Sequence, residues 1–159
     1  MPRRLRSVEL EFVDTASLKL AFAAKVAAAP EVVYRALADD VPGWPDWFTA
    51  VTAARPTEDG AGREVRLRGG FVIHETIMAA ESGKRYAYRA DRTNAPGMRA
   101  LLEEWRLTPA GTGTLVRWTF AADGSAPFRF TLRLARSGMG RSFRDAVRKL
   151  DRRLTGSAP

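Results

Sequence analysis

The feature that most limits the possible folds is a series of short strand-like segments between residues 49 and 122, followed by one amphipathic helix. These segments are rich in Val, Ile, Tyr, Trp and Thr, and glycine-containing turns at 58–62, 82–84 and 110–113 separate them. The pattern predicts strands at 49–56, 63–69, 71–81, 85–92, 102–109 and 114–122, and a loop at 93–101. The strand–helix alternation of a parallel sheet does not occur, so we expect an antiparallel sheet.

Further elements are expected on both sides of this region. Residues 18–26 form an extended run, and the alternation of Val8, Leu10 and Phe12 indicates another strand or an edge extension. A helix should open at Pro30 and end near residue 39, and a short second helix should follow around 46–48. Apolar residues at helical spacing predict the C-terminal helix: Met139, Phe143, Ala146, Leu150 and Leu154.

The segment 128–138 is compatible with either a strand or a helix. Phe128, Phe130, Leu132 and Leu134 alternate as in a strand, but Phe128 and Leu132 also continue the helical stripe. We favour a helix here, with a break or kink at Gly138 or Gly140.

The composition excludes several kinds of site. A chain of 159 residues is the usual size of one domain, and it contains no cysteine and one histidine, His74. Disulfides, thiol catalysis and a multi-histidine metal site are therefore excluded, and we expect no metal and no cofactor. No apolar segment approaches the roughly 20 residues of a transmembrane helix. The first residues lack an apolar signal-peptide region, so we expect a cytoplasmic protein, a monomer or homodimer.

The net charge of +8 is concentrated near the C-terminus. Residues 127–154 hold nine basic and two acidic residues, so seven of the eight net charges lie there. Contact with RNA, the ribosome or an anionic membrane is one interpretation of this helix. A solvated helix face is the simpler interpretation, and nucleic acid is not the partner we expect.

Four segments resemble the START-related superfamily of polyketide cyclase/dehydrase type. They are 26–39 followed by 44–48, 72–77 with Glu75 at its centre, 105–107, and 113–118. The resemblance implies an α+β helix-grip fold, in which a curved antiparallel sheet of six or seven strands surrounds a long C-terminal helix, with two short helices after the first strand. We expect one domain at 18–154, an N-terminal extension or edge strand at 1–17, and a disordered tail at 155–159. Such a fold leaves an internal cavity.

Alternation along the strands predicts which side chains face that cavity. Glu75 should point inward between apolar neighbours, whereas His74 should point outward as a surface residue. We expect polar groups in the interior from Glu75, Glu103, Tyr86 and Tyr88, although Glu103 lies beside the predicted loop and should be partly exposed. The candidate ligand-binding residues are Ile73, Ile77, Glu103, Trp105, Leu107, Val116, Trp118, Phe120, Met139 and Phe143.

Burial would raise the pKa of Glu75, and two roles follow for its carboxyl group. It could act as a general acid or base in ring closure or dehydration, with Tyr86 or Tyr88 polarising a carbonyl group. Alternatively, Glu75 could pair with an arginine or cap backbone groups and simply hold the sheet together.

Two other segments have open roles. The aromatic residues Trp44, Trp47 and Phe48 could line the cavity mouth, but packing of the short helices on the sheet is the favoured role. Residues 98–102 could form a lid over the opening or a plain connector.

The favoured functional hypothesis is a protein that binds a hydrophobic small molecule, such as a lipid, a polyketide or another cyclic or acyl compound. The alternative is a polyketide cyclase or dehydratase that uses Glu75. Motifs of serine hydrolases and of phosphate-binding loops do not occur in the sequence.

Overall fold

The computed structural model describes residues 1–156. In chain order the elements are β1 (Arg3–Arg4), α1 (Phe12–Thr15), β2 (Leu18–Val26), α2 (Pro30–Ala38), a 3₁₀ helix (Val41–Asp46), β3 (Val51–Pro56), β4 (Gly62–Leu67), β5 (Phe71–Glu81), β6 (Arg85–Thr93), β7 (Met98–Ala110), β8 (Gly113–Gly124) and α3 (Ala126–Thr155). The predicted tail at 155–159 begins inside α3, and residues 157–159 lie outside the described part of the chain.

All of the strands belong to one antiparallel sheet. Its order is β2-β8-β7-β6-β5-β4-β3, and the two-residue β1 pairs with the end of β6. Irregular register interrupts β3, β5 and β7, which lets a long sheet bend. With α3 packed on one face and the short helices after β2, this arrangement is the helix-grip fold that the sequence predicts.

The main core lies between the sheet and three helical elements. On α3, the residues Phe143, Ala146, Val147 and Leu150 are buried against aromatic side chains of β7 and β8. Helix α2 adds Val33 and Leu37, and the 3₁₀ helix adds Trp44, whose indole nitrogen donates a hydrogen bond to the Leu37 carbonyl oxygen at 3.0 Å. The short helices therefore close one end of the sheet.

Two predictions about the sheet are wrong, a strand at residues 8–12 and the start of β7. The alternating residues 8–12 do not form a strand; Val8 and Phe12 instead pack with Ala100 and Leu102 on the other side of the sheet. The predicted loop at 93–101 is shorter, because β7 begins at Met98. Residues 98–102 are therefore part of a strand that pairs with β8, and they are not a lid. The N-terminal extension buries the outer side of β7, which explains why its apolar residues do not alternate simply.

Helix α3 is continuous across the ambiguous segment 128–138. Ser125 caps its first turn by accepting a hydrogen bond from the Phe128 backbone N–H, and Gly156 ends it with a φ of 71°. No break occurs at Gly138 or Gly140. A Cβ atom at Gly140 would lie 3.2 Å from the Phe22 ring, so this glycine permits close approach of α3 to β2.

Gly124 occupies a crowded position where β8 leads into α3. A Cβ atom there would overlap the Phe128 ring and come within 2.5 Å of the Gly97 carbonyl oxygen. We therefore expect Gly124→Ala to lower the free energy of unfolding by about 2 kcal/mol through overpacking, as measured by urea denaturation. Gly138→Ala is the matched control, since its Cβ would meet no atom closer than 3.8 Å, and a stability loss equal to that of Gly124→Ala would contradict the prediction.

Candidate functional site

A cavity of about 410 Å³ lies between the sheet and the first half of α3. Most of its wall is apolar, and it is formed by side chains from every strand from β3 to β8. The lining residues are Trp44, Phe48, Ala50, Val51, Arg63, Val65, Leu67, Phe71, Ile73, Glu75, Tyr88, Ala95, Pro96, Met98, Leu101, Glu103, Trp118, Phe120, Phe128, Thr131, Leu132, Met139 and Ser142. Its volume is typical of sites for small molecules.

A buried ion pair forms the polar end of the cavity. Arg63 on β4 and Glu75 on β5 stand opposite each other in the register of the two strands, and the Arg63 Nε–Glu75 Oε1 distance is 2.5 Å. Both side chains are only 2% exposed. The sheet pairing thus places the two charges in contact inside an otherwise apolar wall.

Aromatic rings hold the Arg63 guanidinium group. Its central carbon lies 3.9 Å from the centre of the Tyr88 ring and 4.3 Å from that of Trp44. Contacts of this kind stabilise a cation that has lost its water. The buried Nη1 atom of Arg63 has no hydrogen-bond acceptor among residues 1–156.

A second carboxyl group, Glu103 on β7, takes part in a hydrogen-bond network. Its Oε1 atom accepts hydrogen bonds from the Trp118 indole at 2.8 Å and from the Tyr88 hydroxyl at 3.1 Å. The Tyr88 oxygen in turn accepts from the Trp105 indole at 3.1 Å. Glu103 is 8% exposed, so the expectation that it is partly exposed is wrong; strands on both sides cover it.

The carboxyl groups outnumber the one cation at this end of the cavity. Burial raises the pKa of Glu75, Arg63 opposes the rise and the nearby Glu103 adds to it, with a net value of about 7. Burial likewise raises the pKa of Glu103 and holds that of Tyr88 well above its usual value. For Arg63, burial favours the neutral form, but the Glu75 carboxylate raises its pKa so that it stays charged. The site can therefore bind or release a proton near neutral pH at Glu75.

The structure brings part of the predicted site together around the cavity. Seven predicted residues line it: Ile73, Glu75, Tyr88, Glu103, Trp118, Phe120 and Met139. Six others belong to the solid part of the core or pack against it, and they do not line the cavity: Tyr86, Ile77, Trp105, Leu107, Val116 and Phe143. His74 lies on the other face with 41% of its side chain exposed, 3.7 Å from Glu64.

Arg63 is absent from the predicted site, and the aromatic residues 44–48 combine the two roles predicted for them. Alternation along β4 indicates an inward-facing Arg63, since its side chain lies on the same face as those of Val65 and Leu67. Trp44 and Phe48 both pack the core and line the cavity, whereas Trp47 packs the core without lining it.

Comparison with known proteins agrees with this architecture. Residues 17–155 match the family described as polyketide cyclase / dehydrase and lipid transport. An uncharacterised protein of Mycobacterium tuberculosis is 31% identical over 150 residues, which cover 91% of this chain and 89% of that protein.

Two solved structures show the same fold at low sequence identity. A START superfamily protein from Mycobacterium smegmatis has a TM-score of 0.70 at 12% identity, covering 88% of this chain and 99% of the other. The Zhui aromatase/cyclase from a Streptomyces species has a TM-score of 0.71 at 19% identity, covering 86% of this chain and 95% of the other.

Proposed function

The chain belongs to the polyketide cyclase/dehydrase and lipid transport family, and from this membership we propose that it binds one hydrophobic molecule in its cavity, with the polar end of that molecule at Arg63. The observation that carries the proposal is the combination of a largely apolar wall with a single charged end. Burial of apolar ligand surface supplies about 25 cal/mol per Å². The polar end would fix the orientation of the ligand.

The buried Nη1 of Arg63 indicates which polar group the ligand carries. A buried donor without an acceptor is costly, and a ligand oxygen at hydrogen-bond distance would remove that cost. A carbonyl or carboxylate oxygen fits this donor, because both accept hydrogen bonds. We therefore propose an acyl or cyclic compound with one such oxygen at its end. The expectation of a cytoplasmic protein, a monomer or homodimer, stays a prediction.

The second candidate function is cyclisation or dehydration of a polyketide-like substrate. The observation that favours it is that Glu75 lines the cavity and has a pKa of about 7, which suits proton transfer near neutral pH. Of the two predicted tyrosines, Tyr88 alone lines the cavity, so a role in polarising a carbonyl group falls to Tyr88. If Glu75→Gln keeps ligand affinity and abolishes turnover of a poly-β-keto thioester, the protein is an enzyme; if the unaltered protein turns none over, this candidate fails.

Filling the cavity tests the binding proposal. We expect Met139→Trp to weaken binding of cis-parinaric acid, a fluorescent fatty acid, at least about tenfold, because the larger side chain occupies space that the ligand needs. Binding is measured by fluorescence titration. Ser137→Trp, which adds the same ring on the exposed side of α3, is the control and should change the affinity less than about twofold. Equal affinities for all three proteins would contradict the proposal.

A further inference from the structure

The outer side of α3 exposes two large apolar side chains. Phe130 is 61% exposed and Leu134 is 71% exposed, and their spacing of four residues places them on the same side of the helix. Within residues 1–156, Met1 and Phe71 are the other exposed large apolar residues. Exposed apolar groups that adjoin one another mark a surface that contacts a partner more often than isolated ones do.

Arginines without ion pairs surround these two residues. Within residues 1–156, the side chains of Arg133, Arg136, Arg141 and Arg144 form neither a salt bridge nor a hydrogen bond, and all four are exposed. Arg136, Arg141 and Arg144 line a shallow recess together with Ser137, beside the Phe22 ring. A cluster of uncompensated guanidinium groups around a hydroxyl group suits a phosphate group.

This surface adjoins the mouth of the cavity. Three residues of the cavity wall are exposed, namely Phe71, Pro96 and Thr131, and they mark where the cavity opens. Thr131 follows Phe130 directly in α3 and lies within one turn of Leu134. A partner that covers Leu134 would therefore also contact the edge of the opening at Thr131.

We propose that this surface, the α3 docking surface formed by Phe130, Leu134, Arg133, Arg136, Arg141 and Arg144, binds reversibly to a membrane of anionic phospholipids. The apolar side chains enter the interface, the arginines bind lipid phosphates, and the cavity opening at Thr131 lies at the edge of the contact. The proposal rests on the proposed function for its purpose, which is exchange of the hydrophobic ligand with the lipid phase. None of the helices in residues 1–156 is long and apolar enough to span a bilayer, so this contact is peripheral.

Charge and hydrophobicity together favour a lipid surface over other partners. A second copy docked through this surface would bring unpaired arginines against arginines, and that repulsion disfavours a dimer. RNA would satisfy the arginines, but it offers no hydrocarbon to cover Leu134. An anionic bilayer satisfies both requirements at once.

Co-sedimentation with vesicles tests the proposal. The protein should bind vesicles of phosphatidylcholine mixed with phosphatidylglycerol, bind vesicles of phosphatidylcholine alone far more weakly, and lose affinity as salt is added. Since each basic residue near an anionic surface contributes about fivefold in affinity, Arg141→Gln/Arg144→Gln should weaken binding about 25-fold. Phe130→Ser/Leu134→Ser should weaken it at least about tenfold by removing the inserted groups.

The matched control is Arg35→Gln/Arg117→Gln, which removes two exposed arginines on α2 and β8 and gives the same net charge. It should change vesicle binding less than about twofold. The proposal is overturned if this control weakens binding as much as Arg141→Gln/Arg144→Gln, or if phosphatidylglycerol has no effect. It is equally overturned if the protein binds a labelled single-stranded RNA and not the vesicles.

Ligand binding and membrane binding are separable in this design. Arg141→Gln/Arg144→Gln should bind cis-parinaric acid in solution like the unaltered protein, since neither arginine lines the cavity. Met139→Trp should in turn keep its affinity for the vesicles. Failure of the probe titration therefore counts against the cavity, and failure of the vesicle assay counts against the α3 docking surface.

Discussion

Replacing Arg63 with methionine is expected to lower the free energy of unfolding at pH 8 by about 3–5 kcal/mol, the usual cost of removing one partner from a buried ion pair. Glu75 and Glu103 would then face each other without a cation, in a wall from which water is largely excluded. At pH 5 the loss should be smaller, because both carboxyl groups have raised pKa values and can take up protons. Urea denaturation followed by circular dichroism at the two pH values measures the difference.

Arg66→Met is the control for this change. Arg66 lies on the same strand, but its side chain is 56% exposed and its partner Glu64 keeps an ion pair with Arg55, so the variant should lose less than about 0.5 kcal/mol. Replacing the buried pair together, as Arg63→Met/Glu75→Leu, should recover much of the stability, because no ionised group of that pair is left without a partner. Equal losses for Arg63→Met and Arg66→Met would contradict the interpretation of the pair.

Alternation along the strands predicts the face of the sheet on which a residue lies, and this part of the prediction is confirmed. Glu75, Trp118 and Phe120 line the cavity as alternation requires, and His74 lies on the other face. The reason is physical: a side-chain period of two leaves each residue of a strand one face or the other.

Alternation does not predict how far along that face the interior is filled. Trp105, Val116 and Leu107 point to the same side as the cavity residues, yet they pack in the core with residues of α2 and the 3₁₀ helix such as Leu37. Which part of the space between the sheet and α3 stays open depends on contacts between elements that are far apart in sequence. A local sequence pattern does not predict such contacts.

The burial of Glu103 is not predicted, because the predicted start of β7 is wrong. A loop at 93–101 would leave Glu103 near an exposed strand end, whereas a β7 that starts at Met98 places it inside the sheet. Its hydrogen bonds then come from Tyr88 on β6 and Trp118 on β8, the two strands that flank β7. The local sequence does not mark Arg63 as a site residue, because a basic residue in a strand is usually solvated. Here an acidic partner directly opposite compensates its burial.

The stability of the unaltered protein is expected to fall as pH rises from about 5 to 8. The folded-state pKa of Glu75, about 7, lies above its ordinary value of 4.5, so the folded protein binds this proton more tightly than the unfolded chain. The resulting stabilisation is complete below the ordinary pKa and is lost as pH rises through the folded value. A pKa change of this size corresponds to about 3 kcal/mol.

Glu75→Gln should reduce this pH dependence. Its amide oxygen can still accept the hydrogen bond from Arg63. The pKa of Glu103 stays raised in the variant, because burial is the main cause of that shift and the substitution leaves Glu103 buried. The other carboxyl groups with shifted values, Asp59, Glu64 and Asp123, have lowered pKa values and titrate below this pH range. Urea denaturation from pH 5 to 8 should give a steep fall in stability for the unaltered protein and a clearly shallower one for the variant, in which Glu103 still contributes. Parallel curves would show that Glu75 does not hold a proton in the folded state, and general acid–base chemistry at this residue would then lose its physical basis.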